Sequence, residues 1–220
     1  MRFFLFISIF LAFNILGYSQ ERKTYHIQRT SLAPKIDGIL DEVIWKTSDE
    51  AKDFTQFKPE MGLKDSTEIK TIVKVTYDDD AIYFGAYLHD DPSKIMKQLT
   101  TRDDFGQVDF FTIVLNPNND AQNDTQFIIF SSGTQADAIA NPSIGEDFGW
   151  NAVWESAVKI VDDGWIVEIK IPYRALRFSN QEEQTWGLQF IRRFRLTETQ
   201  YSWNPIDRTI GNTGLYQGEL

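Results

Sequence analysis

Ile36-Asp37-Gly38-Ile39-Leu40-Asp41-Glu42-Val43-Ile44-Trp45 reads as a tight turn running into a short helix that ends on a large aromatic ring. Gly38 accepts a positive φ without a Cβ clash, so Asp37-Gly38 supplies the turn. Asp41 is placed to N-cap the helical turn from Glu42 to Trp45. Leu40, Ile44 and Trp45 then share one face. Burying that face makes the stretch a plug that closes one end of a β-domain.

The β-domain itself is read outward from there. Beyond residue 20 the dominant period is two. Ile69, Thr71, Val73, Val75 and Tyr77 share one face, with Lys70, Lys74 and Thr76 on the other. After the turn at Asp78-Asp79-Asp80 the alternation resumes in Ile82, Phe84, Ala86 and Leu88, which makes a hairpin. Gln107 to Leu115 and Thr125 to Ser131 are apolar enough for central strands, joined by the turn-rich Asn116-Pro117-Asn118-Asn119-Asp120. A second hairpin joins Val153–Val161 to Trp165–Ile171 across Asp162-Asp163-Gly164, with Trp165, Val167, Ile169 and Ile171 facing inward. Pro172 ends that strand, Tyr173 to Leu176 makes a helical turn, and Trp186, Leu188 and Phe190 head the last long strand. Short strands separated by turn residues, with helix confined to two short pieces, predict an all-β antiparallel sandwich with short helical turns.

The two ends read differently. Arg2 followed by the apolar run Phe3–Leu16 and the small residues around Gly17-Tyr18-Ser19 has the form of a secretory signal peptide over residues 1–19. It is too short to span a membrane comfortably, and no later run is long enough, so no transmembrane helix is expected after its removal. The protein is therefore expected to be exported, to the periplasm, the outer membrane or the exterior. Residues 20–30 are an edge strand or a linker, residues 31–205 the sandwich, and residues 206–220 a C-terminal extension where a further region would begin.

Composition narrows the chemistry. The 220 residues include no cysteine, which removes disulfides, a lipobox, thiolate metal sites and cysteine nucleophiles. The core must then hold the fold, and 17 Phe with 6 Trp can supply it. A formal charge of −10 opposes nucleic acid and acidic polysaccharide and favours neutral ligands or cations. With only two histidines, His26 and His89, neither a Ser-His-Asp triad nor a zinc site is supported. Nothing in the chain makes a positive case for an enzyme.

Sugar binding needs aromatic faces for stacking and planar polar side chains at the rim. Glu146-Asp147-Phe148-Gly149-Trp150-Asn151-Ala152-Val153-Trp154 offers both, with Trp150 in a loop and Trp154 at a strand start. Arg102-Asp103-Asp104 is a second candidate, because an arginine can fork two hydrogen bonds to adjacent hydroxyls while acids fix it. The carbohydrate-binding candidates are thus Trp150, Arg102, Asp103, Asp104, Glu146, Asn151 and Trp154. Asp103, Asp104 and Asp109, or Glu146 and Asp147, are candidate oxygen ligands for a structural Ca²⁺.

The ordered landmarks Val75-Thr76-Tyr77-Asp78-Asp79-Asp80-Ala81-Ile82-Tyr83-Phe84, Asp90-Asp91-Pro92, Asp163 to Pro172 and Trp186-Gly187 resemble the carbohydrate-binding module family 9 domain. More narrowly, they are similar to the version at the N-terminus of bacterial envelope proteins that continue into a membrane β-barrel. The resemblance runs over about residues 30 to 205 and implies a sandwich of the jelly-roll or immunoglobulin-like kind. It implies a sugar ring held between two aromatic side chains, with Trp150 and Arg102 nearest that pattern. The second aromatic stays open between Tyr83, Tyr87 and Trp154. The expected function is non-catalytic binding of a neutral oligo- or polysaccharide in glycan breakdown, as in modules attached to glycoside hydrolases. The alternative is a structural or interaction domain accompanying an outer-membrane β-barrel, of which this chain would be a fragment.

Overall fold

The structure, a computed structural model, describes residues 22–209 and 211–220. The leader read at residues 1–19 lies outside the described residues. Among them, strands form in the order β1 (Gln28–Arg29), β2 (Thr55–Lys58), β3 (Thr71–Tyr77), β4 (Ala81–His89), β5 (Phe110–Asn116), β6 (Asp124–Phe130) and β7 (Gln135–Asn141). There follow β8 (Gly145–Asp147), β9 (Glu155–Val161), β10 (Gly164–Pro172), β11 (Gly187–Phe194), β12 (Thr199–Ser202) and β13 (Gly218–Glu219). One α-helix, α1 (Val43–Thr47), and the 3-10 turns Thr67–Ile69, Tyr173–Ala175 and Thr213–Tyr216 complete the set. No helix among the described residues is long and apolar enough to cross a membrane.

Two sheets face each other, one in the order β1-β3-β4-β10-β9 and the other β2-β12-β11-β5-β6-β7-β8, with β13 also paired to β11. Among the named strands, only the two-residue β1 runs parallel to its neighbour, β3. The alternation sends Val73, Val75, Phe84, Leu88, Val167 and Ile169 of the first sheet against Ile113, Phe127, Leu188 and Phe190 of the second. Phe190 stands edge-on to Phe84 across the interface, with ring centroids 6.0 Å apart. Segments 22–30 and 211–220 meet in the sandwich: Tyr25 N donates to Glu219 O, and Trp186 and Leu220 exchange backbone hydrogen bonds.

The 36–45 stretch folds as a turn and helix, with Gly38 at φ +81°, but its position differs from the expected plug. It lies on the outer face of the five-stranded sheet, opposite in parity to Phe84, where Trp45 packs with Ala81 and Tyr83. Asp41 does not cap α1. Glu42 occupies the cap position in extended conformation, without a side-chain cap bond, and its Oε1 accepts from Lys35 N at 3.0 Å. The cover fits because Gly85 lies beneath it: a Cβ there would come within 2.7 Å of Leu40 Cδ2 and 3.2 Å of the Trp45 ring.

Opposite Gly85 in register stands Glu168, fully buried under the cover. The backbone N–H groups of Asp37, Gly38 and Ile39 converge on its Oε2 at 3.0, 2.7 and 3.2 Å. Trp45 Nε1 donates to its Oε1 at 2.9 Å. Burial raises the Glu168 pKa, and those four donors act against the rise.

At one end of the sandwich Arg192 of β11 staples the two sheets. Its guanidinium donates to Ile69 O, Thr71 Oγ1, His89 O and Asp90 Oδ2, all from the opposite sheet or its flanks. Beside it Asp109, 3% exposed, accepts from Arg195 N at 2.7 Å. Burial, and then the Asp90 charge, push its carboxyl from 3.8 up to about 6. The folded state therefore holds this proton more tightly than the unfolded chain. Its stabilising contribution is complete below about pH 4 and is lost as pH rises through about 6, a change on the order of 3 kcal/mol. Urea midpoints measured between about pH 4 and 7 should fall more steeply in the native protein than in Asp109→Asn. Parallel curves would refute the assignment.

Candidate functional site

Segment 148–154 crosses from β8 in one sheet to β9 in the other, along the edge of the sandwich, and is pinned at three points. Phe148 packs edge-to-face on Phe105, 5.2 Å away, on the outer side of the eight-stranded sheet. Trp150 meets the inward-facing Phe127 edge-on at 6.2 Å. Trp154, 6% exposed, meets the same ring at 5.5 Å. One phenylalanine of β6 thus seats both tryptophans.

The polar side of the segment is tied to Asp137, an inward-facing residue of β7 with no exposed surface. Its Oδ2 accepts from Trp154 Nε1 at 2.9 Å and from Arg102 Nη2, and its Oδ1 accepts from Ala152 N at 3.0 Å. Arg102 spends its remaining donors on the same segment and strand: Nε to Asn151 Oδ1 at 3.1 Å, Nη1 to Gln135 Oε1 at 2.8 Å, and Nη2 also to Ala152 O. Asp103, at φ +65°, accepts from Asp137 N through Oδ1 and donates its own N–H to Gln135 O. The result is a rigid clamp in which each charged group has several partners.

Above this clamp opens a cleft of about 590 Å³. Trp150, Asn151, Ala152 and Val153 form one part of its lining. Pro117, Asn118, Asn123, Asp124, Thr125 and Ile139 form another, and Arg174, Ala175 and Arg177 the rest. Trp150 is half-buried, anchored on the core and lining the cleft, which is the arrangement a stacking platform needs. A smaller cleft of about 340 Å³ near Arg192 has Phe194 and Tyr201 among acidic residues and lacks amide side chains.

The sequence candidates therefore separate. Trp150 and Asn151 line the cleft, while Arg102, Asp103 and Trp154 lie in the clamp that holds its wall. Asp104 is exposed and donates its N–H to Thr101 O, and Glu146 is exposed on the edge strand β8. Tyr83 is buried beside Trp45 on the outer face of the other sheet, and Tyr87 shares that face by register. Neither lines the cleft. The oxygen-ligand candidates are not gathered: Asp109 is bonded to Arg195 N, Asp147 accepts from Gly149 N, and no group of three or more His, Asp or Glu among the described residues could hold a metal ion. Asp137, Arg174, Arg177, Asn118 and Asn123 were not anticipated. Asp137 did carry a signal, since an acid on the inward register of an alternating strand must find a partner.

A two-sheet sandwich whose sheet-crossing segment leaves a tryptophan at the wall of an open edge cleft has the architecture of a binding module. The family described as "Carbohydrate family 9 binding domain-like" matches residues 36–194, and the chain belongs to it. Its fold is similar to a carbohydrate binding module family 9 from Caldicellulosiruptor kristjanssonii in complex with cellotriose, at TM-score 0.63 and 17% identity over 90% of this chain and 92% of that one. The same is true of such a module from that organism in complex with glucose, at TM-score 0.63 and 17% identity over 88% and 94%. A putative carbohydrate-binding protein from Bacteroides uniformis ATCC 8492 is similar at TM-score 0.66 and 11% identity over 90% and 97%. A search of curated proteins finds no match.

Proposed function

We propose that this chain is a non-catalytic carbohydrate-binding domain that takes an oligosaccharide in the Trp150 cleft. The observation that carries the reading is the pairing of a half-buried, core-anchored Trp150 with the amide side chains of Asn118, Asn123 and Asn151 around one open cleft. A pyranose presents apolar C–H faces to the indole and hydroxyls to the amides. The sugar complexes of two structural neighbours support it. Export by the N-terminal leader and service to glycan-degrading enzymes belong to the same proposal.

Trp150→Ala should weaken binding of cellotriose by about 1–3 kcal/mol, or roughly tenfold to a hundredfold, because the stacking surface is lost. Calorimetric titration of the two proteins checks this. Unchanged affinity in the variant would place the sugar elsewhere, and absence of any saccharide binding would remove the proposal.

A further inference from the structure

Arg174 and Arg177 stand apart from the other arginines. Each of the others among the described residues pairs with a carboxylate or donates to a carbonyl oxygen. The side chains of Arg174 and Arg177 make no hydrogen bond or ion pair among the described residues, and both residues line the Trp150 cleft. Their place is fixed by the backbone beneath them. Pro172 ends β10, Tyr173 N donates to Asp80 O, and the buried Leu176 anchors the turn, so the two flanking arginines point away from the core. Both side chains are exposed, and neither has a carboxylate partner among the described residues. The acid that shares the cleft, Asp124, is already engaged by Asn116 Nδ2 at 3.2 Å and Gln217 Nε2 at 2.7 Å.

We infer that Arg174 and Arg177 receive the carboxylate of a hexuronic acid unit, so that the cleft prefers acidic over neutral oligosaccharides. The inference rests on the reading of this cleft as a sugar site. Guanidinium donors form a planar fork that matches a carboxylate, whereas a neutral hydroxyl uses only part of it. The chain's net charge of −10 does not forbid this. Distant charges are screened beyond about 8–10 Å at ordinary ionic strength, while the two guanidinium groups act at contact. The charge balance of the whole sequence acts over longer range than a contact at these two side chains.

The test compares cellotriose, the same β-1,4-linked trimer oxidised to carboxylates at C6, and cellotriose 6-sulfate, by calorimetry on the full chain. The C6-carboxylate trimer should bind at least about tenfold more tightly than cellotriose. That advantage should shrink between about 0.05 and 0.5 M salt. In the double variant Arg174→Gln, Arg177→Gln, the ratio of the two affinities should fall to near one. Both positions are exposed, so circular dichroism should show an unchanged fold. Equal affinities in the native protein, an unchanged ratio in the double variant, or tighter binding of the sulfate ester than of the carboxylate would overturn the inference while leaving the sugar site standing. Failure to bind any of the three would remove the sugar site and the inference together.

Discussion

Glu168→Ala is expected to destabilise the protein by about 3–5 kcal/mol, since each buried donor left unsatisfied costs about 1–3 kcal/mol. The substitution strips the acceptor from Gly38 N and Trp45 Nε1, both buried, and from the part-buried N–H groups of Asp37 and Ile39. It also leaves a void under the cover, which adds a cavity cost. Glu168→Gln does not rescue it fully, because the new amide NH₂ must face either Trp45 Nε1 or the three backbone donors. Urea unfolding monitored by tryptophan fluorescence measures the change. A loss below about 1 kcal/mol would mean that the 36–45 cover is held by apolar packing alone.

Asp137→Ala should have the second largest effect, on stability and on binding together. Trp154 Nε1 and Ala152 N lose their acceptor, and Arg102 loses its carboxylate partner. Arg102 is partly exposed and can recover water, so the stability cost should be smaller, about 2–4 kcal/mol. The sheet-crossing segment is then tied only by ring packing, and the wall that carries Trp150 loses its fixed position. Affinity for cellotriose should drop at least about tenfold while the sandwich stays folded. Native-like affinity in a folded Asp137→Ala protein would show that the clamp does not position the site.

The period-two segments of the sequence are where the fold was legible. Val73, Val75, Phe84, Val167 and Ile169 all turn inward as their alternation requires, because half-burial of a pleated strand is a local property. Glu168 shows the limit of that reasoning. Its outward parity in Trp165–Ile171 reads as exposure, yet the outer face is covered by a segment more than a hundred residues earlier in the chain. The 36–45 stretch revealed that it had an apolar face, but not which surface that face would meet. The candidate site divides in the same way. The aromatic-rich loop around Trp150 marked one wall, and Arg102 was visible as an arginine set beside the acids Asp103 and Asp104. The acceptors of Arg102 at positions 135, 137, 151 and 152 are set by the meeting of two sheet edges, which no spacing near residue 102 encodes. Arg174 and Arg177 sit in a turn where charged residues are common. They gain meaning only when the cleft brings them beside Trp150 and leaves them without partners.

The most direct measurement is a ¹H–¹⁵N spectrum of the indole groups during titration with an oligosaccharide that the cleft accepts. The chain has 6 tryptophans, and their indole signals separate the candidate platform from the core. Trp150 Nε1 should shift saturably, while Trp45, bonded to Glu168, and Trp165, buried in the core, stay in place. Saturable binding that moves Trp45 or Trp165 and leaves Trp150 unmoved would contradict the account.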